Sequence, residues 1–126
     1  SILQISADNI HFPQSDNDLE KIDVQIKTLD SLSLLNKENS GITLLKLDVQ
    51  GYELEVLKGA EETLKNIDYI VIEANLEQLY TNQPSLNQMY YYLDSKGYEI
   101  KGMLDFNLGN GNKYIEIDLL FSKKAK

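Results

Sequence analysis

Cysteine is missing from all 126 residues. Its absence excludes a disulfide framework, a thiolate zinc site and a cysteine nucleophile. It also fits a reducing, cytoplasmic setting. Cationic side chains are scarce: 12 Lys and Arg stand against 20 Asp and Glu, a formal net charge of −8. Nucleic-acid and anionic-membrane surfaces need clustered cations to neutralise phosphate, so neither partner is expected. The one basic run, Lys123, Lys124 and Lys126, reads as a solvated tail. No apolar stretch approaches the ~20 residues of a membrane span. The N-terminus lacks the charged segment and apolar core of a signal peptide. It begins with Ser1 rather than Met, which suggests a trimmed chain or a fragment.

What remains is ordinary for a folded protein: 42 % apolar and 25 % charged residues, enough for one domain with a single core. Residues 1–21 are polar and irregular, with Pro13 and the Asp16-Asn17-Asp18 cluster as loop chemistry. That cluster does not continue as a calcium loop. The loop's sixth position should be Gly and its twelfth an acid, and the twelfth is Lys27.

Regular patterns begin at Ile22. Ile22, Val24 and Ile26 alternate with polar residues, which predicts a half-buried strand. Thr28 to Ser31 are cap-type residues ahead of a short helix carrying Leu32, Leu34 and Leu35. Ile42 to Leu47 is a nearly continuous apolar run ending at Asp48, as in strands covered on both faces. Gly51 permits a tight turn into a helix from about Tyr52 to Lys65, where Glu61 and Lys65 sit four apart. Ile67 to Ala74 repeats the strand pattern, with Glu73 near its end.

After Pro84, Ser85 and Gln88 have capping-box spacing, and Leu86, Met89, Tyr90 and Leu93 mark an amphipathic helix closed by Gly97. Of Tyr90, Tyr91 and Tyr92, the spacing places one or two on the apolar stripe. Two alternating segments around Gly109-Asn110-Gly111-Asn112 then predict a β-hairpin. Strands alternating with helices imply a mostly parallel α/β sheet, here closed by an antiparallel hairpin. Residues 1–126 form one such domain.

The run Leu44-Leu45-Lys46-Leu47-Asp48-Val49-Gln50-Gly51-Tyr52-Glu53-Leu54-Glu55-Val56-Leu57-Lys58-Gly59-Ala60 resembles the signature of the FkbM methyltransferase family, close to LLKIDVEGAELEVLKGA. Thr28-Leu29-Asp30 resembles the family's upstream TLD element, and Ile70-Val71-Ile72-Glu73 its next strand. Ser1-Ile2-Leu3, His11 and Pro13 resemble a less regular segment that precedes them. Two departures stand out: Gln50 replaces a usual Glu, and Tyr52 replaces a small residue. The resemblance implies a partial Rossmann-like class I methyltransferase sheet using S-adenosylmethionine (SAM). Its acceptor would be a hydroxyl on a small molecule or glycan. No Asp-x-Gly-x-x-x-Gly pattern precedes residue 22. The family's SAM turn and first two strands are therefore expected to be missing, and the chain to be inactive alone.

Ligands of open parallel sheets bind outside the carboxyl ends of the strands. Asp48 and Glu73 end successive buried strands, so both are candidate catalytic carboxylates, Asp48 at the centre and Glu73 orienting the acceptor. His11, Glu53 and Asn75 are candidate acceptor-binding residues, although the helix dipole alone explains an acid at position 53. A second reading is a non-catalytic binding or assembly module. The strand Ile42–Asp48 would then expose an apolar edge and drive self-association.

Overall fold

The computed structural model describes residues 22–34, 41–76, 82–109 and 114–125, with backbone alone at 114 and 115. His11, the irregular segment 1–21 and Leu35 lie outside the described residues. In chain order come α1 (Leu29–Leu32), β1 (Leu44–Leu47), α2 (Glu53–Lys58), a 3-10 turn (Thr63–Asn66), β2 (Tyr69–Asn75), α3 (Leu86–Ser95), β3 (Tyr98–Leu108) and β4 (Tyr114–Lys123). Among the described residues no helix is long and apolar enough to cross a membrane.

The strands form one four-stranded mixed sheet in the order β1-β2-β4-β3. Only β1 and β2 pair in parallel; β4 runs antiparallel to both of its neighbours. The expectation of a mostly parallel sheet is thus corrected. Strands β1, β2 and β3, each followed or preceded by helical chain, do run the same way, as alternating periodicity predicts. The hairpin's return strand, however, wedges between β2 and β3 and replaces a parallel contact with two antiparallel ones.

The predicted strand at Ile22–Thr28 is also corrected. That segment joins no sheet among the described residues, and Ile22, Val24 and Ile26 remain 74 %, 64 % and 63 % exposed. Alternation makes a two-faced ribbon, but it becomes a strand only where a sheet edge accepts it. The short helix after it starts earlier than the leucines suggest. Thr28 caps it, its hydroxyl accepting from the Ser31 amide at 3.1 Å, and Ser33 closes it at φ 49°.

That first turn explains why the expected helix Tyr52–Lys65 is broken after Lys58. The Asp30 amide donates to the Gly59 carbonyl at 3.1 Å. The Asp30 carboxylate accepts from the Glu62 amide at 3.0 Å, and from the Thr63 amide and hydroxyl at 2.8 and 2.7 Å. Asp30 thereby caps the 3-10 turn from a distant part of the chain. Gly59 is needed for close approach, since a Cβ there would lie 3.1 Å from the Thr28 methyl carbon. With the helix interrupted, Glu61 pairs with Lys96 at 2.6 Å and Lys65 with Glu62 at 2.7 Å, rather than with each other.

One face of the sheet packs on the helices. Leu47, Ile70, Ile72, Ala74, Leu119 and Phe121 meet Leu57, Ala60 and Leu64 from the α2 region and Met89 and Leu93 from α3. Fully burying each such large side chain is worth about 1.5–3 kcal/mol. Helix α3 starts with a complete Ser85–Gln88 capping box, and Gly97 turns the chain into β3 at φ 86°. Tyr90 and Tyr92 pack against the core while Tyr91 stays exposed. Tyr98 buries its ring and donates its hydroxyl hydrogen between the Leu64 and Ile67 carbonyls, both at 2.7 Å.

Candidate functional site

The register of the parallel pair sets the site. Leu45 stands beside Ile70 and Leu47 beside Ile72, all four on or against the core face. One residue further along this register, Asp48 follows the end of β1 beside Glu73, which does not close β2 as expected but lies two residues inside its carboxyl end at Asn75. Because side chains alternate along a strand, Val71, Glu73 and Asn75 share the face turned away from the helices. Strand β4 supplies their cross-strand neighbours: Leu120 opposite Val71, Asp118 opposite Glu73 and Glu116 opposite Asn75.

The chain leaves β1 through a turn with two left-handed residues, Gln50 at φ 53° and Gly51 at φ 95°. Glycine takes such angles without steric cost, and glutamine pays for them. Glu53, only 2 % exposed, folds back over this turn. Its Oε1 accepts from the Val49 amide at 3.1 Å and the Gly51 amide at 3.2 Å. Glu53 therefore braces the loop within its own motif. Asp48 is left exposed at the rim.

Glu73 is half-buried, and the charges that act most on it are carboxylates. Burial, and then the charges of Glu116, Asp48, Asp118 and Glu53, push its pKa from 4.5 up to about 7. Asn75 lies two residues on, buried, with an Oδ1 that receives no hydrogen bond. Of the sequence-predicted residues, the structure thus gathers Asp48, Glu73, Glu53 and Asn75 at one end of the parallel pair. His11 lies outside the described residues.

Sequence reasoning passed over Glu116 and Asp118. Their alternation with Ile117 and Leu119 does mark one polar face of β4. What no local pattern discloses is that this face lies beside Glu73.

A methyl donor of the SAM type finds no cradle among the described residues. The amides of Val49 and Gly51, at the one glycine turn on this rim, are already committed to Glu53. The space at Gly59 is filled by Thr28. The carboxylates suit the charge of a cationic ligand. Nor is any group of three or more His, Asp or Glu among the described residues placed to hold a metal ion.

The family model described as Methyltransferase FkbM domain matches residues 2–100. That range includes the braced turn, Asp48, Glu73 and Asn75, and ends within β3. No curated protein and no solved structure matches the chain. With most of its length under one family model, the chain belongs to the FkbM methyltransferase family.

Proposed function

We propose that this chain supplies the acceptor side of a SAM-dependent O-methyltransferase with a Rossmann-like, class I arrangement. The acceptor is a hydroxyl of a small molecule or glycan, and a glycine-rich donor-binding turn must be supplied for turnover. Family membership and the parallel pair closed by a hairpin support the reading. The observation that carries it is Glu73, a half-buried carboxyl with a pKa near 7 at the carboxyl end of β2.

A base works best when its pKa lies near the operating pH. The bound donor supplies an electrophilic methyl group. With a donor bound, Glu73 would accept the hydroxyl proton as the oxygen takes the methyl group and the methyl–sulfur bond breaks to release the neutral thioether, and would later give the proton up to solvent. Asp48, exposed beside it, orients the acceptor. This reverses the roles that strand position alone suggested for the two carboxylates. Glu53 acts on the site through the turn it braces.

Transfer of labelled methyl from SAM to a panel of hydroxyl acceptors tests the proposal, with a family glycine-turn segment added in cis or in trans. Glu73→Gln should lower the rate on the order of 100-fold, the lower range for general-base catalysis. Asp48→Asn should lower it less. Unchanged turnover in Glu73→Gln would remove that residue from the chemistry.

A second reading, an assembly module, is favoured by one observation. The outer edge of β1 has no strand partner among the described residues, and Ile42 and Leu44 beside it are mostly exposed. Such an edge is a template for pairing with another chain.

A further inference from the structure

We infer that the end of β2 carries a subsite for a protonated amine, held by the side-chain carbonyl of Asn75 with the carboxylates of Glu73, Asp118 and Glu116. Asn75 is 6 % exposed, and its Oδ1 has no hydrogen-bond donor. A buried carbonyl left this way costs about 1–3 kcal/mol. Native proteins keep few such groups, and a ligand that brings an N–H to the position recovers the loss. The carbonyl oxygen can only accept, so the ligand must donate.

The charge around Asn75 narrows the class. Glu116 is its cross-strand neighbour, Glu73 is on the same face two residues back, and Asp118 stands opposite Glu73. Asp48 ends the adjacent strand. None of the ion pairs among the described residues uses any of these four carboxylates. Glu116 accepts one bond, from the Asn107 amide group at 2.8 Å, which positions it without neutralising it. A neutral hydroxyl would satisfy the Asn75 carbonyl but leave the negative charge uncompensated. A metal ion would also satisfy a carbonyl oxygen, by coordination, but no group of three acids among the described residues is placed to hold one. A primary ammonium group brings three donors and a positive charge together. Glu116 and Asp118 lie beyond residues 2–100, the part of the chain that the family model matches.

The inference rests on reading this cleft as a ligand site, as proposed above. Two sources share the chemistry: an amine on the hydroxyl acceptor, or the amino group of the methyl donor. Binding is measured without turnover, so its failure is separable from failure of the methyl-transfer reading. The probes are ethanolamine and ethylene glycol, which differ in the ammonium group, and S-adenosylhomocysteine for the donor.

Titrations of the chain are followed by the NMR signals of the Asn75 side-chain amide. Ethanolamine should shift them and bind about tenfold or more tightly than ethylene glycol, a difference of about 1.4 kcal/mol. Asn75→Ala, followed instead by the backbone amides of Glu73 and Glu116, should abolish the preference. Asp118→Asn, at a partly exposed site and isosteric, should weaken it about tenfold even if Asn75→Ala fails to fold. A shift with S-adenosylhomocysteine that ethanolamine competes away also supports the subsite and assigns it to the donor. The inference is overturned if neither amine shifts Asn75, if ethylene glycol binds equally well, or if Asp118→Asn leaves the preference intact.

Discussion

Glu73 is half-buried and is crowded by Glu116 and Asp118 from β4, by Asp48 after β1 and by Glu53 from α2, so burial first and these charges second hold its proton more tightly in the folded chain than in the unfolded one. Between pH ~4.5 and ~7 the folded state therefore binds more protons. Stability contributed by the protonated carboxyl is complete below this window and is lost as pH rises through it. Glu73→Gln keeps the shape and removes the charge. At pH 8 it should stabilise the chain by about 1–2 kcal/mol, after discounting a half-buried group for solvent screening. At pH 4 the two proteins should unfold alike. Urea denaturation at both values checks this, and an equal difference at each would deny the linkage. A substitution that raises stability while lowering turnover is what a functional carboxylate predicts. Glu53 belongs to the opposite kind. Glu53→Ala strips two amides of their acceptor in a buried turn and should cost about 2 kcal/mol, read as a lowered melting temperature.

At the scale of elements, the Thr28-Leu29-Asp30 turn is a clamp. Burial works to raise the pKa of Asp30, but hydrogen bonds from Glu62 and Thr63 outweigh it and hold the pKa below its usual value. Its contribution is present above the unfolded-state pKa and is lost as pH falls through the folded one. Asp30→Ala should destabilise by about 1–3 kcal/mol and fray the Thr63–Asn66 turn, visible as faster amide exchange there. Gly59→Ala should act in the same direction by pressing a methyl group against Thr28.

This clamp also marks a limit of local reading. Leu54, Leu57 and Leu64 carry a helical period through a segment that is not one helix. The interruption comes from Asp30, some thirty positions away, and propensity has no view of it. By contrast, the Ser85 cap and the Gly97 stop are local chemistry, and both were legible.

For the whole molecule, the periodicity disclosed which strands share a direction, because apolar runs joined by helices must return the same way. It did not disclose which strands touch. The position of β4 against β2 depends on how well Leu119 and Phe121 complete the core beside Ile70 and Ile72, a tertiary matter. Asp48 could be found as the residue that follows one strand, and Glu73 as lying near the end of the next, although β2 runs on to Asn75. Glu116 and Asp118 could not, since their relevance depends on that neighbour relation. The Ile22–Thr28 segment failed for a related reason: its alternation is real, but no described edge receives it.

The free edge of β1 leads to a further expectation at this scale. Sedimentation velocity should show concentration-dependent association, and Leu44→Lys should suppress it, because a charged edge opposes pairing. A monomer at every concentration would discard the assembly reading and leave the catalytic one in place.

The account turns on one carboxyl group at the end of β2 holding its proton near neutrality. Carbon-detected NMR titration of the Glu73 side chain in the folded chain measures that directly. A midpoint near 7 is predicted. A midpoint near 4.5, the ordinary value for the group, would contradict it.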